Sequence, residues 1–364
     1  MECLEMPIFN RYCREELDNL CIKAPDEEIY KKVSENLDLI AKPIDSLGIF
    51  ESFIAQIGAI QGTEMIDISK KAVIIMCADN GIVEEGISQS GKDVTLAVVK
   101  KMAQKQSSVG KMAELIGADT IPVDIGVDYH GEIPGVLNRK ISLGTKNFRN
   151  TPAMTEKEAV KAIFTGIEMV FDCKNKGYNL LATGEMGIGN TTTSSAVASA
   201  LLDCPAQEVT GRGAGLSDEK LKVKKKIIAE AIESYKLKEA DALQILETVG
   251  GLDIAGLAGV CIGGALFHVP IVLDGVISMV AALVAERIVP GTKDYLIPSH
   301  KGKEPAVNLL GKELGVVPVI DGRMALGEGT GAVMMFSLLD MALSIYQDRI
   351  TFSDIKIEPY KRMT

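Results

Sequence analysis

The sequence alternates short apolar runs with longer segments of helical periodicity. The apolar runs cover residues 71–78, 120–127, 179–184, 270–275 and 295–300. The run at residues 71–78 is continuous, which is typical of a strand that is buried on both faces, as in a parallel sheet. Because helical segments separate the runs, we predict an α/β fold with a mostly parallel sheet and helices on both faces.

The two ends of the chain lack such runs. Helices are predicted near the start, at residues 26–37, and near the end, at residues 332–346. We therefore expect residues 1–60 to form the helical part of a small domain and residues 61–335 to form the α/β domain. Residues 336–364 are expected to form a C-terminal helical segment that joins the small domain.

The charge of the chain limits its partners. Its formal net charge is −10 at pH 7 and it contains no tryptophan, which argues against a nucleic acid or an anionic membrane surface as a partner. Residues 254–273 carry no formal charge over a length that could span a bilayer. However, this stretch includes His268 and Pro270, so we predict a buried helix followed by a buried strand, and no membrane span.

Cysteine and histidine usage gives no sign of a metal site. The seven cysteines form no CxxC pair, and the three histidines are isolated from one another. Reduced thiols and the lack of a signal peptide at the N-terminus predict a cytoplasmic protein. No cofactor and no metal ion are expected.

Two glycine-rich loops follow the predicted strands. Residues 184–193 connect a strand to a helix, and residues 211–215 precede another helix. A strand, glycine-rich loop and helix in this order present backbone N–H groups and a helix N-terminus to a phosphate. Neither loop matches a Walker A loop or a dinucleotide fingerprint. The loops therefore favour a monophosphate over a triphosphate held with magnesium.

A third glycine-rich stretch, residues 321–331, surrounds the carboxylate of Glu328. Glycines allow a backbone to approach a ligand closely, and a carboxylate held there can accept a proton. An alternative interpretation is that Glu328 only stabilises the start of the following helix through the helix dipole.

Taken together and in this order, these segments resemble the nicotinate-nucleotide:dimethylbenzimidazole phosphoribosyltransferase family. The resemblance extends from residue 42 to about residue 343, and its most specific parts are 184–192, 211–213, 273–275, 299–300 with 304–305, and 326–331. It implies a Rossmann-like α/β domain with a smaller helical domain. It also implies transfer of the phosphoribosyl group of nicotinate mononucleotide to an aromatic base, with inversion at the anomeric carbon.

The resemblance also assigns roles to individual residues. It implies that Glu328 is the general base, that Glu185 is a second catalytic carboxylate, and that Lys224 meets the phosphate, although Lys222, Lys225 and Lys226 compete for that role. The full set of substrate-binding residues that it implies is Asp79, Ser88, Lys92, Met186, Gly187, Gly189, Asn190, Thr191, Thr192, Gly211, Arg212, Gly213, Lys224, Asp274, Ser299, Leu326, Gly327 and Gly329.

The chain departs from the family pattern near the expected acceptor pocket. Asn80 stands where the family commonly has histidine, and residues 89–92 replace a run that often contains tyrosine, proline and glutamine. The change predicts a roomier and more polar pocket. The acceptor is left open between dimethylbenzimidazole, a related benzimidazole, a purine such as adenine, and a phenolic compound.

Three interpretations of the function remain. The first is a phosphoribosyltransferase that acts as a homodimer, or as half of a heterodimer with a paralogue. The second is a nucleotide-binding subunit that needs a paralogous partner for activity. The third, a nicotinamide-dependent oxidoreductase, rests only on the predicted strand ends and lacks the dinucleotide fingerprint.

Overall fold

The structure is a computed structural model that describes residues 12–91 and 93–362. Its strands are β1 (Lys71–Ala78), β2 (Asp119–Gly126), β3 (Leu137–Asn138), β4 (Leu180–Met186), β5 (Ile271–Leu273), β6 (Leu296–Pro298), β7 (His300–Gly302) and β8 (Ile320–Met324). Its α-helices are α1 (Arg14–Asp18), α2 (Glu27–Leu39), α3 (Ile49–Gln61), α4 (Asp93–Ala103), α5 (Ser108–Leu115), α6 (Glu156–Asn175), α7 (Asn190–Leu201), α8 (Ala206–Val209), α9 (Asp218–Ser234), α10 (Ala242–Val249), α11 (Leu252–Leu266), α12 (Val276–Ile288), α13 (Ala306–Leu314) and α14 (Thr330–Gln347). Short 3-10 helices cover Gly81–Glu85, Leu237–Glu239 and Thr292–Tyr295.

The main sheet has six strands in the order β3-β2-β1-β4-β5-β6, and every adjacent pair is parallel. The predicted α/β class and parallel sheet are therefore confirmed. The chain turns to opposite sides of β1 to form β2 and β4, so the strand order reverses at β1. In sheets of this kind the crevice at the carboxyl ends of such strands is where ligands bind.

Helices cover both faces of the sheet because β1 is apolar on both sides. Ile74 and Met76 pack into one core with α6, α7, α11 and α12. Ile75 and Cys77, which alternate with them, pack into a second core with α2, α3, α5 and α14. This period of two is the expected geometry of a strand that is buried on both faces.

The N-terminal helices and the C-terminal segment contact each other directly. Ile40 and Thr351 form an antiparallel bridge, and the guanidinium of Arg362 donates to the carboxylates of Asp38 and Asp45 at 2.7–2.9 Å. The predicted boundary at residue 335 lies within α14, and the division into two domains stays a prediction. In the described part of the chain, no helix combines the length and the apolarity that crossing a bilayer requires.

The structure differs from the sequence pattern in two elements, the start of α7 and the strand β8. Helix α7 begins at Asn190, in the middle of the predicted glycine-rich loop, because Gly189 adopts a left-handed conformation with φ of 97° and ends the loop there. The segment before Glu328 includes β8, which pairs in parallel with β7 in a separate two-stranded sheet. Helix α7 begins shortly after the carboxyl end of β4, and β8 leads into the loop that carries Glu328.

Candidate active site

An open cleft of about 270 Å³ lies at the carboxyl edge of β4 and β5, where the sheet geometry places a ligand. Its polar wall comes from the ends of β4 and β5 and from the segment before α14. Its apolar wall is formed by Val98, Met186, Ile277, Met324 and Leu326. An apolar slot beside several carboxylates suits a flat aromatic molecule that carries polar groups.

The loop that carries Glu328 has an unusual backbone. Gly327, Glu328 and Gly329 all have positive φ, at 80°, 64° and 94°. The outer two positions suit glycine, but a glutamate in this region is uncommon and carries a conformational cost. Gly184 of β4 allows the loop to lie close, since a Cβ atom there would stand 2.6 Å from the carbonyl oxygen of Glu328. The backbone thus holds Glu328 in one place over the sheet edge.

The side chain of Glu328 is oriented by a distant helix. Its Oε2 atom accepts a hydrogen bond of 3.0 Å from the backbone N–H of Val109, in the first turn of α5. Val109 is 219 residues away in the chain. Because this N–H holds Oε2, the other oxygen, Oε1, has a fixed direction in the cleft.

Asp274 anchors the start of α14. Its buried carboxylate accepts backbone N–H groups from Gly331 at 2.8 Å and from Gly329 and Ala332 at 3.3 Å. A carboxylate at this position satisfies donors that have no partner within the helix and complements the helix dipole. His300 lies beside it, with Nδ1 3.8 Å from Asp274 Oδ1. Burial raises the pKa of Asp274, whereas His300 and the helix N–H groups oppose that rise.

Glu185, at the end of β4, is buried next to another carboxyl group. The side-chain amide of Asn190 donates to Glu185 Oε2 and lies 3.2 Å from Asp253 Oδ2. Burial, followed by the charge of Asp253, raises the pKa of Glu185 to about 8. Burial also raises the pKa of Asp253 to about 6.

A lysine lies behind the two glycine-rich loops and links them. Lys224 of α9 is fully buried, and its Nζ donates to Thr191 Oγ1 at 3.0 Å and to the carbonyl oxygen of Gly211 at 3.3 Å. Burial lowers the pKa of Lys224 to about 8, and the negative charge of Glu304 opposes this shift. Glu304 Oε1 itself accepts the N–H of Gly213 at 2.9 Å.

A smaller cleft of about 80 Å³ adjoins the main one and shares the start of α7 with it. It is closed on one side by residues 87–89 and on the other by Arg212. The side-chain amide of Gln89 donates to the carbonyl oxygen of Gly215, which ties the 87–89 segment to the second glycine-rich loop. The guanidinium of Arg212 pairs with Asp218, and the Arg212 side chain is half exposed.

The structure brings most of the expected site residues together. Those that line the main cleft are Glu185, Met186, Gly187, Asn190, Thr191, Gly213, Asp274, Leu326, Gly327 and Glu328. Those that line only the smaller cleft are Ser88, Gly189 and Arg212. Those that line neither cleft and lie next to them or beneath them are Asp79, Thr192, Gly211, Lys224, Ser299 and Gly329. Lys92 lies outside the described residues.

Several residues of the site were missing from the expected set. Val109 donates to Glu328, Asp253 faces Asn190, and Val98 lines the cleft. His300 and Glu304 line the cleft as well. Their place in the segment 299–305, which carries the family resemblance, could have identified them as site residues from the sequence. No sequence signal marks Val98, Val109 or Asp253 as site residues, because the groups that they contact are distant in the sequence.

One group of three carboxylates in the described residues has oxygens close enough to share a metal ion, namely Asp38, Asp45 and Glu51. Arg362 pairs with the two aspartates and Lys42 pairs with Glu51 at 2.8 Å. Because arginine and lysine already balance its charge, this cluster is suited to joining the two ends of the chain rather than to holding a cation.

Comparisons with known proteins point in one direction. Residues 22–357 match a family model described as phosphoribosyltransferase. The chain is 45% identical over 340 residues to the nicotinate-nucleotide–dimethylbenzimidazole phosphoribosyltransferase of Clostridium acetobutylicum, covering 93% of this chain and 97% of the relative. It is 46% identical over 338 residues to the protein of the same name from Acetivibrio thermocellus, covering 92% and 96%.

A solved structure gives the same result. The crystal structure of CobT from Thermus thermophilus superposes with a TM-score of 0.86 at 33% sequence identity, covering 91% of this chain and 99% of the other. The similarity therefore includes both the whole fold and the loops at the carboxyl edge of the sheet.

Proposed function

The chain belongs to the phosphoribosyltransferase family, and from that premise we propose that it transfers the phosphoribosyl group of nicotinate mononucleotide to an aromatic acceptor base. The products are nicotinate and an α-riboside 5′-phosphate. The observation that carries this proposal is the position of Glu328, held in a left-handed conformation over an apolar slot beside the loops that suit a phosphate.

Glu328 is the general base in this proposal. Nicotinate in the mononucleotide is a cationic ring and leaves without a metal ion, so the main need is a nucleophile. An azole or phenolic acceptor becomes nucleophilic when it loses its proton to a carboxylate within hydrogen-bond reach. Because Val109 occupies Oε2, we expect the acceptor proton to move to Oε1. The acceptor then attacks the anomeric carbon on the face opposite the departing nicotinate.

The phosphate is proposed to bind beside Thr191 and Lys224, where α7 and the loop at residues 211–213 meet. This end of the cleft offers the first turn of α7 and a lysine ammonium. Glu185, Asp274 and Glu328 lie close to one another in the cleft and repel an anion, whereas Glu304, the carboxylate near Lys224, is hydrogen-bonded to the N–H of Gly213. The charge distribution therefore orients the nucleotide, with its phosphate toward Lys224 and its ribose toward Glu328.

The acceptor is proposed to lie against the apolar wall formed by Val98, Met186 and Leu326. Leu326 is 55% exposed, so this wall is incomplete on one side and leaves room for acceptors of different width. Dimethylbenzimidazole, other benzimidazoles, adenine and phenolics all remain candidates. A turnover assay with dimethylbenzimidazole, adenine and p-cresol in parallel, following nicotinate release, ranks them directly.

We also propose that the protein is a homodimer. Met334, Met341 and Ile345 are exposed apolar residues along α14, the helix that follows the loop of Glu328. Exposed apolar patches of this kind mark interaction surfaces. A heterodimer with a paralogous subunit is the alternative, and a purified chain that sediments as a monomer and turns over no acceptor favours it. A cytoplasmic location also stays a prediction, consistent with the free thiols among the described cysteines.

The test of the general base is Glu328→Gln. Loss of a positioned general base costs about 10²- to 10⁴-fold in rate, so we expect kcat to fall by that factor while nicotinate mononucleotide binds normally in calorimetry. Glu313→Gln, at an exposed ion pair with Arg287, is the matched control and should retain wild-type kcat. A Glu328→Gln enzyme with near-normal kcat would exclude Glu328 as the base.

A further inference from the structure

A buried aspartate lies directly behind the cleft, and the reaction described above assigns it no task. Asp253 is the second residue of α11 and is completely buried. Its Oδ1 accepts the N–H of Ile254 at 3.0 Å, and its Oδ2 faces the side-chain amide of Asn190 at 3.2 Å. A buried carboxyl group is costly, so its retention here calls for a reason.

Two glycines leave space for the side chain of Asp253. A Cβ atom at Gly187 would lie 2.7 Å from Asp253 Oδ2, and a Cβ atom at Gly251 would lie 2.4 Å from Asp253 Oδ1. Glycine at both positions therefore leaves room for the carboxyl group against the end of β4. The arrangement joins α11 to the start of α7 and, through Asn190, to Glu185.

Asn190 connects the two carboxyl groups through one nitrogen. Its side-chain Nδ2 carries two hydrogens, one directed to Glu185 Oε2 and the other toward Asp253 Oδ2. Two carboxyl groups that converge on one buried donor cannot both be ionised at low cost, so the pair retains one proton. Glu185 lines the cleft, whereas Asp253 does not.

The other groups that face Glu185 strengthen this effect. Asp274 after β5, Glu328 before α14 and Asp253 on α11 are all carboxyl groups. The buried thiol of Cys77 on β1 is a further neighbour of Glu185. A thiol carries no positive charge, so it does not stabilise an ionised Glu185. Negative charge thus surrounds Glu185, and Asn190 is the side chain that donates to it.

We propose that Asp253, acting through Asn190, keeps Glu185 protonated, so that Glu185 donates a hydrogen bond to an oxygen of the bound nucleotide. Asp253 is then a positioning residue, and Glu185 is a neutral carboxylic acid that touches substrate. The donor atom is expected to be Oε1, which lies 2.5 Å from the position of a Cβ atom at Gly327 and so faces the loop of Glu328. This inference rests on the function proposed above.

The elevated pKa values of Glu185 and Asp253 agree with this assignment. Burial and the charge of Asp253 raise the pKa of Glu185 to about 8, whereas burial raises the pKa of Asp253 only to about 6. At neutral pH the shared proton is therefore on Glu185.

The kinetic test compares substitutions at both positions. A glutamine side chain is neutral and donates a hydrogen bond, so Glu185→Gln should retain kcat/KM within about tenfold, whereas Glu185→Ala should lose about 10²-fold or more. In the wild type, kcat/KM should fall on the alkaline side as Glu185 ionises and as Lys224 loses its proton. Asp253→Asn should move the Glu185 part of this fall to lower pH by at least about one pH unit, whereas the Lys224 part should stay in place. In the Glu185→Gln background, Asp253→Asn should leave the pH profile of kcat/KM unchanged.

The matched control is Asp124→Asn, a buried aspartate on β2 that pairs with Lys140 at 3.1 Å and lies outside the cleft. This control should leave the alkaline limb in place. A pH profile of Asp253→Asn that superposes on that of the wild type would overturn the proposal. Loss of activity in Glu185→Gln as large as in Glu185→Ala would also overturn it, since an ionised Glu185 would then be required.

A second measurement needs neither turnover nor a folded Asp253 variant. Infrared difference spectra of the unliganded wild-type protein at pH 7 should contain the C=O stretch of a protonated carboxylic acid that Glu185→Gln lacks, and this band should disappear toward pH 9. A wild-type spectrum without the band at pH 7 refutes the proposal. A band that titrates as expected in a chain without transferase activity supports it and places the failure in the proposed reaction instead.

Discussion

Replacing Asp274 tests whether the start of α14 positions the general base. Asp274→Ala removes the acceptor of three backbone N–H groups, from Gly329, Gly331 and Ala332. Water does not reach this position easily, because Asp274 is only 3% exposed. Glu328 directly precedes Gly329, so any displacement of the first turn of α14 also displaces the base.

The expected loss of stability follows from those bonds. Removing a good N-terminal cap costs up to about 2 kcal/mol, and each buried donor left without an acceptor costs at least about 1 kcal/mol. The two bonds of 3.3 Å are long and count for less than the 2.8 Å bond from Gly331. Part of this loss is offset, because the variant no longer buries a carboxyl group, and burial of Asp274 is unfavourable enough to raise its pKa. We expect the free energy of unfolding to fall by about 2–4 kcal/mol.

The assay measures urea unfolding, nicotinate mononucleotide affinity and kcat for the same variants. Asp274→Ala should lose the stability estimated above and about 10²-fold in kcat, because a small misplacement of a catalytic group is costly. Thr155→Ala is the matched control, since Thr155 caps α6 by accepting the N–H of Glu158 and belongs to neither cleft. It should lose about 1 kcal/mol and retain full kcat. If Asp274→Ala loses stability but keeps wild-type kcat, the cap does not position Glu328.

Two further predictions come from the buried titratable groups. Burial lowers the pKa of Lys224 to about 8, so in the Glu185→Gln background, in which residue 185 cannot ionise, nucleotide affinity measured by calorimetry should fall about tenfold from pH 7 to pH 9 as the ammonium deprotonates. Lys224→Met should abolish this dependence, whereas Lys222→Met, at an exposed position of the same helix, should preserve it. For Glu185, the pKa is raised from 4.5 to about 8 in the folded protein, so its contribution to stability is fully present below pH 4.5 and is lost as pH rises through 8. The free energy of unfolding in urea should therefore decline across this window by about 1.4 kcal/mol per pH unit relative to Glu185→Gln, and parallel curves for the two proteins would contradict the assignment.

Strand positions and strand ends could be predicted from the sequence because local pattern determines them. The run at residues 71–78 coincides with β1, and the glycine-rich stretch before α14 does surround a carboxylate at the sheet edge. The family inferred from the loops is confirmed by the match over residues 22–357. In each case the signal is contained in a few consecutive residues, which is what a single sequence displays well.

Contacts between distant segments could not be predicted in the same way. Nothing in the sequence near Val109 indicates that its N–H faces Glu328. Asp253 stands at the edge of a long apolar run, where a capping aspartate at a helix start is the simplest interpretation. Helix α7 was missed over residues 190–193 because asparagine and threonine have low helix propensity, and tertiary packing of this buried helix outweighs that preference.

The carboxyl groups of the cleft would repel an anionic substrate unless their local surroundings reduced their negative charge. An anionic nucleotide must bind where Glu185, Asp274, Glu304 and Glu328 converge. Asp274 is bound by the N–H groups of α14, Glu304 accepts the N–H of Gly213, and Glu185 shares a proton with a buried neighbour. Each of these three carboxyl groups is therefore partly neutralised by its surroundings. Glu328 also accepts one N–H, from Val109, but only through Oε2. A strained backbone presents its other oxygen, Oε1, to the apolar slot, which is why we assign the base to this residue rather than to any of the other three.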